Sequence, residues 1–211
     1  MKDKRDLSRM FKEAGILFAI TLLAGLILGF VNELTREPIA YQQELKIQKA
    51  CTAVFEDAAS FEELTASAAQ KSSIETVTAS ASEKGVSYGT VYRALSADGS
   101  LLGYVLNVTS SEGYGGDIEL MLGVTLEGTL NGISLLSISE TPGLGMEAGD
   151  VLVPQFAGKQ VSSFTYTKTG ASADNEIDAI SGATITTRAV TNAVNAGLGY
   201  FNTVLKEGGE Q

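Results

Sequence analysis

Asp178-Ala-Ile-Ser-Gly-Ala-Thr184-Ile-Thr-Thr187 marks the point where a strand-like run gives way to helical spacing. From Arg188 onward, apolar residues recur as Ala189/Val190, Ala193/Val194, Gly197/Leu198 and Phe201, one stripe of a 3.6-residue period. Between the two patterns stand the small residues Gly182 and Ala183, flanked by the hydroxyls of Ser181 and Thr184. A turn with so little bulk lets a phosphate reach the backbone, and the free N–H groups of a helix start favour its negative charge. The same residues also read as an ordinary helix start, with Thr186 or Thr187 as the capping side chain.

Two other small-residue loops lie upstream. In Glu140-Thr-Pro-Gly-Leu-Gly145, Pro142 fixes one backbone angle and biases Thr141 towards extended geometry, while Gly143 and Gly145 permit positive φ. A loop this rigid can offer backbone amides to the edge of a planar ligand and press Leu144 on its face; a tight turn after a strand is the alternative. Glu112-Gly-Tyr-Gly-Gly-Asp-Ile118 allows a third close approach at Gly113 to Gly116, with Tyr114 stacking or packing.

Asp178, two intervening residues and Ser181-Gly-Ala-Thr184 resemble the flavinylation motif of the FMN-binding domain shared by Rnf-type and Nqr-type membrane oxidoreductases. The loops at Glu140 and Glu112 match the family's other two signatures in the same order. The resemblance covers essentially the whole chain, and is closest to the G subunits of Rnf-type ion-translocating electron-transport complexes. It implies FMN carried on Thr184 through a phosphoester bond. A threonine hydroxyl is a poor nucleophile at neutral pH, so the resemblance also implies a dedicated flavin transferase, with FAD as donor.

The resemblance further assigns cofactor contacts. Ser181 would hydrogen-bond the phosphodiester, and Gly182 and Ala183 would keep its approach open. Asp178 would belong to the motif that the transferase recognises. Thr186 ranks behind Thr184 as an acceptor, and Arg188 could neutralise phosphate charge. Glu140, Thr141, Gly143 and Leu144 form a second group of contacts. Lys168 falls where a related lysine occurs in the family, and a cation near the flavin carbonyl would stabilise the reduced anion. Asp178, Ser181, Lys168 and Arg188 also read as solvated or turn-forming residues.

The bulk properties bound these readings independently. The chain has 211 residues, no histidine and a single cysteine. Lack of histidine removes Ser-His and Cys-His catalysis and most zinc or haem ligation. Cys51 alone makes no intrachain disulfide and holds no complete iron–sulfur cluster, and it reads as a small packing residue. Redox function therefore has to come from an organic cofactor.

Ala14 to Val31 are 18 consecutive uncharged, mostly apolar positions. As a helix they span about 27 Å, close to the bilayer's hydrocarbon thickness. A signal peptide's apolar region is shorter, about 7–15 residues, so the stretch reads as a retained anchor. Lys2, Lys4, Arg5, Arg9 and Lys12 crowd its N-terminal flank, whereas only Arg36 lies close beyond it. The positive-inside rule then predicts a cytoplasmic N-terminus and an extracytoplasmic C-terminal domain of a single-pass cell-membrane protein. Residues beyond Asn32 carry a formal charge of −12, which makes nucleic acid a poor partner.

The expected organisation is a cytoplasmic N-terminus at 1–13 and a transmembrane helix at 14–32. A juxtamembrane helix and connecting region would occupy 33–84, and an FMN-binding domain 85–211. Pro38 is expected to start the juxtamembrane helix, and residues 56–84 to form short helices and loops. Four strands, Val86–Tyr92, Leu101–Val108, Ile118–Thr125 and Leu130–Ser139, predict an antiparallel sheet with turns at Asp98-Gly99 and Glu127-Gly128. Helices near Val151–Phe156 and after Thr187 should cover one face, giving an α+β domain. The function that follows is electron relay within a ferredoxin:NAD oxidoreductase, alongside other membrane proteins of the complex and lipid. The C subunit of a sodium-translocating NADH:quinone reductase and a cofactor-free scaffold module are the alternatives.

Overall fold

A computed structural model describes residues 2–65, 68–82 and 84–206. The chain divides into two units, Met1–Leu45 and Lys46–Gln211. The first is helical. Helix α1, Lys2–Val54, contains the apolar stretch, and none of its most apolar 18-residue window is buried. Ile16, Phe18, Leu23, Leu26 and Phe30 are all more than half exposed, as side chains that face lipid must be. The expected restart at Pro38 is corrected, because Pro38 lies inside α1. An internal proline deletes one i→i−4 bond, and the good helix formers on both sides carry the helix past it.

The second unit holds a five-stranded antiparallel sheet, ordered β1 to β5 as a meander. Its strands are β1 Ser60–Glu63, β2 Val86–Leu95, β3 Leu101–Ser110, β4 Ile118–Thr125 and β5 Leu130–Ser137. The four expected strands are present. Gly99 at φ 83° and Gly128 at φ 91° make the two predicted turns, where a side chain would be strained. β1 replaces the helix or loop expected there; its Ser-Phe-Glu-Glu is too short and polar to declare a strand. It pairs with the far end of β2, Phe61 opposite Ala94, as an edge strand. α2, Ala68–Ser82, follows it.

Between β5 and the C-terminal helix come a 3-10 turn at Gly145–Glu147 and two short helices, α3 Ala148–Val151 and α4 Val153–Phe156. A parallel pair, β6 Thr165–Thr167 and β7 Glu176–Asp178, then leads to α5, Thr184–Tyr200, and a π-helical turn at Phe201–Lys206. The apolar stripe of α5 is fully buried at Ala189, Val190, Ala193 and Val194. Each large apolar side chain so buried contributes about 1.5–3 kcal/mol. Gly197 lets the helix sit close, since a Cβ there would lie 2.6 Å from Leu122 Cδ2. The Tyr88 hydroxyl donates to the Ala196 carbonyl at 2.9 Å, and the Asn195 amide clasps both backbone groups of Phe164.

The opposite sheet face is covered from within α1. Ala50, Cys51, Val54 and Phe55 pack against Ala94, Val105 and Met121. The unit that contains the sheet therefore begins at Lys46, well before the expected start at Gly85. The sheet has two apolar faces, and the helices that follow it cover only one. Cys51 is 1 % exposed, and burial pushes its thiol up to about 11. Alkylation by iodoacetamide at pH 8 should accordingly be slower in the folded protein than in urea by about a hundredfold or more; equal rates would contradict this packing.

Candidate functional site

The three small-residue loops meet at one place. Tyr114, Glu140, Thr141, Leu144, Gly145 and the run Gly182–Thr186 line a cleft of about 500 Å³, within the range of pockets that hold a drug-sized ligand. Two of the loops use the same turn chemistry. In Thr141-Pro-Gly-Leu144 the Leu144 N–H donates to the Thr141 carbonyl at 3.1 Å, with Gly143 at φ 74°. In Ile180-Ser-Gly-Ala183 the Ala183 N–H donates to the Ile180 carbonyl at 3.1 Å, with Gly182 at φ 77°. Positive φ at the third position of such a turn selects glycine. The turns touch, since a Cβ on Gly182 would stand 3.0 Å from Leu144 Cδ2.

Helix α5 starts directly from the second turn. Its N-cap is Ala183, and no side chain caps it. The first-turn N–H groups thus border the cleft without a side-chain acceptor, an arrangement suited to an anion. Thr186 and Thr187 are not caps: both lie inside the helix, 1 % and 0 % exposed. The helix begins earlier than its stripe suggested, because these two threonines are part of the buried face. The Thr187 hydroxyl donates to the Ala183 carbonyl at 3.0 Å and accepts the Ile180 N–H at 3.1 Å. Thr191 likewise donates to the Thr187 carbonyl. Thr184 differs: it is half-exposed, stands on the cleft, and its hydroxyl makes no hydrogen bond among the described residues.

Of the sequence-derived contacts, Glu140, Thr141, Leu144, Gly182, Ala183, Thr184 and Thr186 are brought together. Gly143 shapes its turn without lining the cleft, and Ser181 is exposed beside it. Asp178, Lys168 and Arg188 are exposed and do not line it. The Asp178 carboxylate accepts the Ala171 N–H at 2.7 Å and so organises the loop between β6 and β7. The Asp178 backbone is held on both sides by the amide of Gln155, at 2.6 and 3.1 Å, a residue with no sequence signal. Ile185 on the cleft also escapes sequence reasoning, since it reads as one more apolar position near the helix start. Among the described residues no group of histidine, cysteine, aspartate or glutamate could hold a metal ion.

Gly145 shows why the second loop needs its last glycine. Its φ is not positive. A Cβ there would fall 2.6 Å from Thr186 Oγ1 and 2.7 Å from Glu140 Cβ. The residue is small so that α5 and the Glu140 loop can close on each other.

The fold and site are those of an α+β domain with an open cleft at a helix start, preceded in the chain by one helix long and apolar enough to cross a membrane. The FMN-binding domain family model matches residues 113–199, and that of the RnfG N-terminal region matches 1–54. The G subunit of the Na+-translocating ferredoxin:NAD+ oxidoreductase complex of Acetobacterium woodii is 32 % identical over 206 residues, 95 % of this chain and 96 % of that one. The G subunit of the proton-translocating ferredoxin:NAD+ oxidoreductase complex of Clostridium ljungdahlii is 32 % identical over 196 residues, 87 % and 90 % of the two chains. Among solved structures, the C subunit of the Na+-translocating NADH-quinone reductase of Parabacteroides distasonis superposes with a TM-score of 0.49 at 24 % identity, over 73 % of this chain and 79 % of that one. The chain belongs to the RnfG family, the G subunits of Rnf-type ion-translocating oxidoreductase complexes.

Proposed function

We propose that this chain is the electron-carrying component of a membrane-bound, ion-translocating ferredoxin:NAD oxidoreductase, with FMN esterified through its phosphate to Thr184. One observation carries the site. Among the threonines around the helix start, Thr184 combines partial exposure, a place on the cleft at the start of α5 and a hydroxyl that makes no hydrogen bond among the described residues. The residues fit the group: N–H groups for phosphate, an open path over Gly182 and Ala183, and Leu144 and Tyr114 as apolar walls for a planar ring.

FMN, when attached, supplies reversible electron transfer between partner cofactors. The chain itself binds, orients and shields. The N–H groups at the α5 start would hold the phosphate, the Thr141–Leu144 turn would offer backbone groups to the ring, and Leu144 and Ile185 would limit water. A flavin transferase installs the group, because a threonine hydroxyl is a poor nucleophile at neutral pH. Lys168 and Arg188 stand outside the cleft, exposed to solvent. The partners are the other membrane proteins of the complex and the lipid around α1.

The test is the intact mass of the chain from cells that contain the transferase. A single FMN increment and flavin colour that survives acid precipitation are expected. A colourless chain of unmodified mass sinks the reading and favours a cofactor-free scaffold.

Orientation belongs to the same proposal: N-terminus cytoplasmic, domain extracytoplasmic. Buried Cys51 leaves a low background for thiol labelling. Asp174→Cys should react with a membrane-impermeant maleimide in intact cells or spheroplasts, and Ser8→Cys only after lysis. The reverse pattern would invert the topology.

A further inference from the structure

We infer that Glu140 is a positioning residue: its carboxylate pins the Tyr114 loop against the start of α5, so that the Tyr114 ring stands as a wall of the cleft. The inference rests on the FMN reading for its optical consequence, and on the protein alone for its geometry. Glu140 is only 9 % exposed, and its Oε1 accepts the Tyr114 N–H at 2.8 Å. A bond to an ionised acceptor is stronger than a neutral one, and an enclosed carboxylate is costly unless something donates to it. Losing that acceptor therefore releases the loop.

The packing around this bond leaves little freedom. On one side, a Cβ on Gly113 would lie 2.9 Å from Glu140 Oε1, and one on Gly115 would lie 1.9 Å from the Ser139 carbonyl oxygen. On the other, a Cβ on Gly145 would meet Glu140 Oε2 at 2.9 Å and Thr186 Oγ1 at 2.6 Å. The Glu140 side chain is thus enclosed between two glycine-built approaches, one from each neighbouring motif. The loop's other end is fastened to the same helix, since the Asn192 amide donates to Glu112 Oε2 at 2.6 Å. Tyr114 itself is 71 % exposed. With so little packed around the ring, its position follows from the backbone that carries it, and Glu140 holds that backbone at the Tyr114 N–H.

A phenol fixed against an isoalloxazine ring quenches its fluorescence by photoinduced electron transfer, whereas a phenol on a loose loop does so less. Two measurements on the full chain in detergent micelles therefore test the assignment. The first is hydrogen exchange of the Tyr114 amide without flavin. Glu140→Ala should accelerate it by about tenfold or more, the scale of one lost charge-assisted bond. Glu140→Gln keeps a carbonyl acceptor without the charge and should accelerate it clearly less than Glu140→Ala does. The second is the flavin fluorescence lifetime of the modified protein, which should lengthen in Glu140→Ala and in Tyr114→Leu but not in Glu140→Gln.

A wild-type Tyr114 amide that exchanges like an unstructured one overturns the inference without any variant, so a Glu140→Ala protein that fails to fold does not shelter it. So does a Glu140→Gln protein as loose as Glu140→Ala. Exchange behaving as stated in a chain that never carries flavin would leave the strut standing and remove the FMN reading instead.

Discussion

Thr184→Ala is expected to give a folded, membrane-inserted protein with no acid-stable flavin, and to abolish electron transport through the assembled complex. Stability should barely move. Thr184 is the first residue of α5, half-exposed, with no hydrogen bond to its hydroxyl among the described residues, and such substitutions stay within about 0.5 kcal/mol. Alanine is also the better helix former. Thr187→Ala supplies the opposite case. It removes a buried hydroxyl that both donates to Ala183 and accepts from Ile180, so it should cost about 1–3 kcal/mol. The fraction that folds should still carry flavin. Thr184→Ser keeps the hydroxyl and should retain measurable attachment. Intact mass and in-gel fluorescence report the flavin, and thermal unfolding reports the fold. A Thr184→Ala chain that still carries the FMN increment moves the acceptor elsewhere, with Thr186 the next threonine on the cleft.

The sheet is legible in the sequence because β2 to β5 alternate or run apolar, and Asp98-Gly99 and Glu127-Gly128 punctuate them. β1 is not, since four residues ending in two glutamates carry no period. It becomes a strand by pairing with the distal half of β2. The same holds for the last turns of α1. Nothing in Lys46–Val54 distinguishes a membrane-surface helix from one that packs on a sheet; only the second apolar face of the sheet decides it. At the site, motif spacing marks the three loops, and the positive φ expected of Gly143 is present. Asp178 and Lys168 enter through the resemblance and Arg188 through its place in the first turns of α5, and none of the three lines the cleft. The turn at Gly182 separates Asp178 from the cleft, and Asp178 serves the β6–β7 loop instead. The Glu140 to Tyr114 bond spans 26 residues, a pairing that no local pattern announces.

Gly123→Val should be strongly destabilising on the outer face of the sheet. Gly123 sits in β4, opposite Val105 on β3 and Gly132 on β5. A Cβ at this position would stand 2.8 Å from Val54 Cβ and 2.9 Å from the Val54 carbonyl oxygen. The neighbour is partly backbone, so it cannot rotate away, and valine adds two further methyl groups. Overpacking of this kind costs about 3 kcal/mol, which for a chain this long lowers Tm by about 6–12 °C. Gly149→Ala is the control: nothing lies within 4 Å of its Cβ position and its φ is not positive. It should be neutral or slightly stabilising, as alanine favours the helix. If the pair behaves this way in thermal unfolding of the full chain, residues 46–55 fold with the sheet as one cooperative unit. A Gly123→Val protein as stable as wild type would mean that the end of α1 leaves the sheet in solution. The same disruption should also expose Cys51 and raise its alkylation rate, so stability and thiol reactivity must change together.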